Sequence, residues 1–131
     1  MSAADRAEAD IRALLDEASA ALHNGDWPRY ERLWAHERWI SVIHPAENEW
    51  LTGWDAIGPA YHALLSGDVR PNPERRNLRI RVAPSSDMGW ATAEAMVVRD
   101  GGPVRLWQTF VFERGQDGWR IVHGHVSVPT E

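Results

Sequence analysis

The residues best suited to chemistry lie near the end of the chain. His123, His125 and Ser127 recur at every second position, and side chains with that spacing share one face of a β-strand. An imidazole with an unperturbed pKa of about 6.5 exchanges protons readily near neutral pH. The two histidines are therefore candidates for a catalytic base and its partner, for metal ligands, or for structural groups that bond the backbone or Ser127. A β-bulge in this strand would decide which face carries them.

Two further polar residues interrupt apolar segments. His44 ends the segment that starts at Trp39, just before Pro45. It is either a hydrogen-bonding group in a pocket or a stabiliser of the turn. Glu94 lies within the mostly apolar run Trp90–Val98, and burying a lone carboxylate is costly unless it is paired or protonated, so Glu94 is the strongest carboxylate candidate for acid–base chemistry. The alternative is an ion pair with an arginine on a neighbouring strand, namely Arg79, Arg81 or Arg105.

Large aromatic and amide side chains supply candidate walls for a ligand pocket. The chain has eight tryptophans, and such side chains bury large apolar areas while keeping one N–H to satisfy. Gln108 is the polar member of a face that it shares with Leu106, Phe110 and Phe112, so it is either a cavity donor or a buried amide. The candidate ligand-binding residues are Trp34, Trp50, Trp54, Ile57, Trp107, Gln108 and Phe110. For any single tryptophan, plain core packing is the alternative.

Two helices are predicted before the first strand. Apolar residues at helical spacing predict a helix from about Ala4 to His23, and the pair Asn24-Gly25 supplies its left-handed stop. Asp26 is a suitable cap for a second, short helix that ends near His36, with Pro28 in its first turn.

The middle of the chain predicts a small hairpin and a third helix. Residues 39–44 are rich in β-branched and aromatic side chains and are followed, across a polar turn, by Trp50-Leu51. Helical spacing resumes at Ile57 and ends at Ser66-Gly67, with Pro59 either starting the helix or kinking it. Residues 67–74, which contain two prolines, form a connector.

The remainder of the chain predicts long antiparallel strands joined by hairpins. Polar and apolar residues alternate over 77–82, which predicts a first strand. Further strands are predicted over 89–99, 104–114 and 119–128. Helices followed by a run of strands indicate an α+β fold, with the helices on one face of a curved sheet. The last three strands are apolar on both faces, so we expect a second subunit to cover the face that the helices leave open. A monomer with an ordinary two-sided core edge is the alternative.

Composition limits the remaining possibilities. A chain of 131 residues that is 44% hydrophobic suits a single domain over residues 1–131. With a formal net charge of -5, the chain lacks the positive field that binds nucleic acid or an anionic membrane, so we expect neither partner. The absence of cysteine, of a signal-peptide pattern and of an apolar run of ~20 residues indicates a cytoplasmic protein. No Gly-rich phosphate loop, His-Glu-x-x-His motif or Gly-x-Ser-x-Gly elbow supports a nucleotide, zinc-protease or serine-hydrolase function.

Three segments resemble the SnoaL-like branch of the nuclear-transport-factor-2-like (NTF2-like) superfamily, which includes the ketosteroid isomerases. They are Asn24-Gly25-Asp26-Trp27 with Tyr30, Ile43-His44-Pro45 leading to Thr52-Gly53-Trp54-Asp55-Ala56-Ile57, and Asp117-Gly118-Trp119-Arg120-Ile121-Val122-His123-Gly124-His125-Val126-Ser127. The first and last also resemble the association domain of calcium/calmodulin-dependent protein kinase II. Together the segments extend over nearly the whole chain.

The resemblance implies a cone-shaped, cystatin-like α+β fold, in which a bent antiparallel sheet wraps around a helix and leaves a cavity open at one end. It also implies a homodimer formed through the sheet. It places Tyr61, one turn beyond Ile57, where the hydroxyl faces the cavity or packs in the core. Members include isomerases, cyclases, hydratases, epoxide hydrolases and non-catalytic modules, so the fold alone assigns no function. Neither the tyrosine with two carboxylates of the ketosteroid isomerases nor the Asp-Arg-Asp set of the epoxide hydrolases can be assigned here.

Two functions therefore remain open. The first is a pocket enzyme without an organic cofactor that isomerises, cyclises or hydrates a compact apolar substrate by general acid–base catalysis. Its candidate catalytic residues are His44, Tyr61, Glu94, His123 and His125. The second is a non-catalytic ligand-binding or oligomerisation module. A mononuclear metal site built from His123, His125 and either His44 or Glu94 is a further alternative.

Overall fold

Helices and a mixed sheet make up the part of the chain that the computed structural model describes, residues 1–45, 50–67, 74–99 and 101–129. In chain order the elements are α1 (Ala3–Asn24), α2 (Trp27–Glu31), β1 (Ser41–Ile43), β2 (Leu51–Thr52), α3 (Trp54–Leu65), β3 (Glu74–Val82), β4 (Met88–Arg99), β5 (Gly102–Gly115) and β6 (Gly118–Ser127). The strands form one curved sheet in the order β2-β1-β6-β5-β4-β3. The helices pack on one side of it, so the predicted α+β fold class is confirmed.

Helix α1 is the long helix that the sequence predicts, and it ends within one residue of the predicted Ala4–His23 at both termini. Ser2 caps its N-terminus in a reciprocal capping box with Asp5, and Gly25 closes its C-terminus at a φ of 65°. The buried stripe that faces the sheet consists of Ala7, Ile11, Leu14, Leu15, Ala18 and Ala21. Neither α1 nor any other helix in the described ranges is long and apolar enough to cross a membrane.

The second helix is shorter than predicted and does not reach His36. The backbone after it pairs with β6 instead: the Ile121 N–H donates to Leu33 O at 2.8 Å, and the Ala35 N–H donates to Ile121 O at 3.0 Å. Trp34, between these two bonds, has only 1% of its surface exposed. Continuing the helix would break this pairing and expose the indole, so tertiary contacts override the local helical pattern.

Helix α3 and strand β1 also differ from the prediction. The third helix begins at Trp54, so Pro59 lies inside it and removes one N–H from the helical ladder. Strand β1 pairs antiparallel with β2, as predicted, but parallel with β6. The sheet is therefore mixed rather than entirely antiparallel, because no hairpin constrains the direction of two strands so distant in sequence. Most of the predicted 67–74 connector lies outside the described residues.

A bulge in β6 decides the orientation of its histidines. We call the sheet face that packs against the helices the inner face and the opposite face the outer face. Ile121 and Val122 are both buried, and the register with β5 shifts at this point. Because the extra residue reverses the alternation, His123, His125 and Ser127 share one face, as predicted, and that face is the outer one.

A second bulge, in β3, turns an arginine inward. In β3 every second side chain from Leu78 onward faces inward. If this alternation continued toward the N-terminus, Arg76 would lie on the inner face. The register with β4 shifts here, and Asn77 adopts a φ of 54°. Arg75 therefore points inward and reaches the backbone of α1. Asn is one of the few non-glycine residues that enter this left-handed region at low cost.

The eight tryptophans divide evenly between buried and exposed positions. Trp27, Trp34, Trp54 and Trp119 are buried or partly buried among the helices and the inner face. The exposed ones are Trp39 (56%), Trp50 (68%), Trp90 (40%) and Trp107 (51%). By register, Trp90 and Trp107 stand on the outer face with His123. The outer face thus presents large apolar side chains, a feature typical of interaction surfaces.

Candidate functional site

A cavity of about 300 Å³ lies between helix α3 and the strands β1 and β2. Its walls are Val42, His44, Leu51, Ala60, Tyr61, Ala63 and Leu64. Two predicted site residues, His44 and Tyr61, therefore come together here. The rest of the lining is apolar, which suits a compact apolar ligand that is oriented by a few polar groups.

Tyr61 is buried and is coupled to a second tyrosine. Its ring centroid lies 5.1 Å from that of Tyr30 and 5.4 Å from that of Trp34. Burial raises the pKa of Tyr61 to about 12, and an interaction with the Tyr30 hydroxyl partly offsets this rise. Burial also raises the pKa of Tyr30 well above its usual value, and the proximity of Tyr61 adds to the rise. The two phenols are therefore close neighbours, and burial raises the pKa of both.

His44 reaches the cavity from the end of β1. Val42, two residues earlier, pairs with Gly124 and also lines the cavity. Continuing this parallel register by one more step directs His44 toward Val126, on the inner face of β6. The imidazole is partly buried.

Arg75 is an inner-face residue that sequence reasoning missed. Its Nε–H donates to Gln108 Oε1 at 3.3 Å, and Nη1 donates to Leu15 O at 3.5 Å and to Ser19 Oγ. Burial lowers the pKa of this guanidinium, while Asp16 opposes the effect from a distance. Within the described residues no carboxylate forms an ion pair with it. The only signal in the sequence for the inward position of Arg75 is Asn77, the asparagine of the bulge, which precedes the alternating part of β3.

The two predicted catalytic histidines of β6 lie on the outer face. His123 Nδ1 is 2.8 Å from Ser41 Oγ and 3.0 Å from Ser41 O. The ring thus accepts from the hydroxyl in one tautomer and donates to the carbonyl in the other. His125 is exposed on the same face. The structure does not bring either histidine to Tyr61, and no three potential metal ligands cluster anywhere in the described ranges.

Glu94 also belongs to the outer face. It is partly buried, and by register it stands between Trp107 and Arg76. In the described part of the chain it forms no ion pair with the arginines proposed as its partners, Arg79, Arg81 and Arg105. Of the five predicted catalytic residues, the structure therefore joins two in one cavity and leaves three on the other side of the sheet.

The predicted wall residues occupy three regions. Trp34, Ile57, Gln108 and Phe110 lie in or against the interior, whereas Trp50 and Trp107 are exposed. Trp54 stacks between His36 and Trp27, at centroid distances of 4.1 Å and 6.1 Å, and is not part of the cavity lining. Trp34 fills the interior beside Tyr61. Its buried Nε1 finds no hydrogen-bond partner among the described residues, although its proximity lowers the pKa of the neighbouring tyrosine.

A second cleft, of about 480 Å³, lies between the α2–β1 loop and the β5–β6 turn. Its charged residues are Arg32, Glu37, Glu113, Arg114, Asp117 and Arg120. Of the predicted site residues it contains only Trp34. Its opposite charges balance, so it shows no preference for a ligand of either sign. The cavity at Tyr61 is the more specific candidate.

Solved structures with the same fold match nearly the whole chain. A candidate dehydratase of the NTF2-like family from Streptomyces avermitilis superposes with a TM-score of 0.85 at 19% identity, over 97% of this chain and 99% of that chain. The CaMKII hub of S. rosetta superposes with a TM-score of 0.73 at 19% identity, over 93% and 96% of the two chains. At such identities the likeness shows the fold alone.

Sequence comparison identifies the family to which the chain belongs. The F-box protein SKIP8 of Arabidopsis thaliana is 29% identical over 97 residues, which cover 74% of this chain and 40% of that protein. The chain thus spans well under half the length of this curated relative. The family model of the SnoaL-like domain matches residues 11–131. Fold and sequence agree, and the chain belongs to the family of SnoaL-like domains.

Proposed function

We propose that this chain binds a small, largely apolar molecule in the cavity between α3, β1 and β2. The observation that carries the proposal is the buried Tyr61, which lines an apolar cavity together with His44 and whose raised pKa keeps its hydroxyl protonated. A preformed donor in an apolar pocket is how small-molecule sites orient a carbonyl or hydroxyl oxygen.

The chemistry that these groups support is proton transfer without an organic cofactor. A phenol with a pKa near 12 stays protonated at neutral pH, so Tyr61 acts as a hydrogen-bond donor that stabilises negative charge developing on a substrate oxygen. His44 acts as the general base or acid on the adjacent carbon or oxygen. Isomerisation, cyclisation or hydration of a compact apolar carbonyl compound fits this pair. One of the structural neighbours is a candidate dehydratase by name.

Ligand binding is tested with acetophenone, a neutral aromatic ketone, by titration calorimetry. Tyr61→Phe removes one hydrogen bond and is expected to weaken binding about fivefold, which corresponds to about 1 kcal/mol. Thr92→Val, on the outer face, is the matched control and should bind as the wild type does. Failure of the wild-type protein to bind the ketone, or unchanged affinity in Tyr61→Phe, would contradict the proposal.

We further propose that a second copy of the chain covers the outer face. Trp90 and Trp107 expose 40% and 51% of their surface there, and the S. rosetta neighbour is by name a CaMKII hub. In this arrangement Glu94, His123 and His125 contact the partner rather than the ligand. The same face also supports the alternative function, an oligomerisation or binding module without catalysis.

A further inference from the structure

The cleft of about 480 Å³ between the α2–β1 loop and the β5–β6 turn has walls that backbone hydrogen bonds anchor. On the loop side, the Ala35 N–H donates to Ile121 O at 3.0 Å. On the hairpin side, the Arg114 N–H donates to Asp87 O at 2.8 Å, which ties the end of the hairpin to the turn before β4. The space between the two walls is therefore set by the backbone.

Two opposite charges of this cleft face each other without pairing. Glu113 and Arg120 are direct partners in the β5–β6 ladder, so their side chains project from the same side of the hairpin. Both line the cleft, yet within the described part of the chain no ion pair joins them. Arg120 is partly buried and donates from Nη1 to Trp119 O at 2.9 Å. That bond holds the guanidinium in place and does not neutralise it.

The rest of the lining adds charges of both signs and an apolar surface. Because cations and anions are equal in number, a ligand with a single charge is attracted by one group and repelled by its neighbour. A ligand that carries both charges close together is attracted by both groups. Trp39, with 56% of its surface exposed, offers an apolar contact at the same cleft. The other charged residues of the lining are Arg32, Glu37, Arg114 and Asp117.

We propose that this cleft binds a small zwitterion of the α-amino-acid class with an apolar side chain. The ligand carboxylate accepts from the Nε and Nη2 groups of Arg120, because a guanidinium forms strong charge-assisted bonds to a carboxylate. The ligand ammonium donates to Glu113, and the apolar side chain lies against Trp39. The lining shares no residue with that of the cavity at Tyr61, so this site does not depend on the proposed function.

The test compares three probes built on one phenethyl frame. L-Phenylalanine carries both charges, hydrocinnamate lacks the ammonium, and phenethylamine lacks the carboxylate. Titration calorimetry at neutral pH and low ionic strength measures the three affinities. The wild-type protein is expected to bind phenylalanine about fivefold or more tightly than either analogue, because each analogue loses one charge-assisted hydrogen bond.

Two substitutions assign the two charges. Arg120→Met should reduce the advantage of phenylalanine over phenethylamine to less than about twofold, because the carboxylate loses its cation. Glu113→Gln should reduce the advantage over hydrocinnamate in the same way. Arg12→Met and Glu8→Gln are the matched controls, since they remove an exposed pair of the same chemistry from α1, and both advantages should persist in them.

Every other outcome overturns the assignment. Phenylalanine that binds no more tightly than its analogues, or more tightly than only one of them, would show that the cleft does not recognise a zwitterion. Advantages that survive in both Arg120→Met and Glu113→Gln would place the binding elsewhere. Tyr61→Phe should leave both advantages unchanged, and their loss would place phenylalanine in the other cavity. The wild-type comparison needs no variant, so it decides the question even if a variant does not fold.

Discussion

At the scale of single residues, burial determines how the tyrosine pair titrates. Tyr30 and Tyr61 are the only tyrosines of a chain that has neither lysine nor cysteine. No other side chain type present therefore has its usual pKa between about 9 and 12. Burial raises the pKa of both phenols, so both are neutral at physiological pH and retain a proton to donate.

The stability of the protein should fall in alkali because of this pair. The pKa of Tyr61 is about 12 in the folded state, against an ordinary value of 10.0. The stability from Tyr61 is fully present below about pH 10 and is lost as the pH rises through 12, since the unfolded state releases its proton first. From pH 9 to 11, the free energy of unfolding should drop about 1 kcal/mol more in the wild type than in Tyr61→Phe. Urea unfolding at several pH values measures the difference, and parallel curves would refute it.

At the scale of elements, the inner face of β4 is made of small residues so that α1 can approach closely. Gly89, Ala91, Ala93 and Ala95 share this face, and their small side chains also leave room for Arg75 to cross the strand. A Cβ at Gly89 would lie 2.6 Å from Ile11 Cδ1 and 2.8 Å from Arg81 O. The second of these contacts involves backbone, which cannot move aside without disturbing the β3–β4 pair.

Gly89→Ala should therefore destabilise the fold by about 1–3 kcal/mol through overpacking. Gly101→Ala is the matched control, because a Cβ there meets nothing within 4 Å, and it should change stability by less than about 0.5 kcal/mol. Denaturant unfolding compares the two variants. Equal stability of Gly89→Ala and Gly101→Ala would show that α1 does not pack closely on β4.

At the scale of the whole molecule, the two sides of the sheet differ in how they are covered. The helices cover the inner face, which holds the cavity and Arg75. The outer face carries exposed aromatic side chains with no cover from the described part of the chain. The one-domain organisation over residues 1–131 and the cytoplasmic location stay predictions.

Trp107→Glu should convert a dimer into a monomer. In a two-fold interface each substitution appears twice, so one change buries two unpaired carboxylates. Ala13→Glu, on the exposed side of α1, is the control and should leave the mass unchanged. Sedimentation equilibrium measures both. A wild-type monomer, or a Trp107→Glu protein that stays dimeric, would contradict self-association through the outer face.

Local signals in the sequence determined most of the elements. The capping residues and the left-handed glycine define α1, and β4, β5 and β6 lie within two residues of their predicted bounds. The alternation of polar and apolar residues and the turn residues depend on only a few neighbouring positions, so the sequence alone is enough to predict these elements. The same local logic singled out His44 and the family resemblance singled out Tyr61, and the structure joins the two in one cavity. It also placed His123 and His125 on a common face.

Only the tertiary structure decided which face of the sheet carries His123 and His125. A bulge inserts one extra residue into a strand and has no distinctive composition. It nevertheless moves every later side chain of that strand to the opposite face of the sheet. The adjacent apolar pair Ile121-Val122 directs the histidines outward, and Asn77 directs Arg75 inward. The short α2 and the parallel β1–β6 pair depend on contacts between residues far apart in the chain. Periodicity thus predicts that side chains share a face, whereas the register with neighbouring strands selects the face.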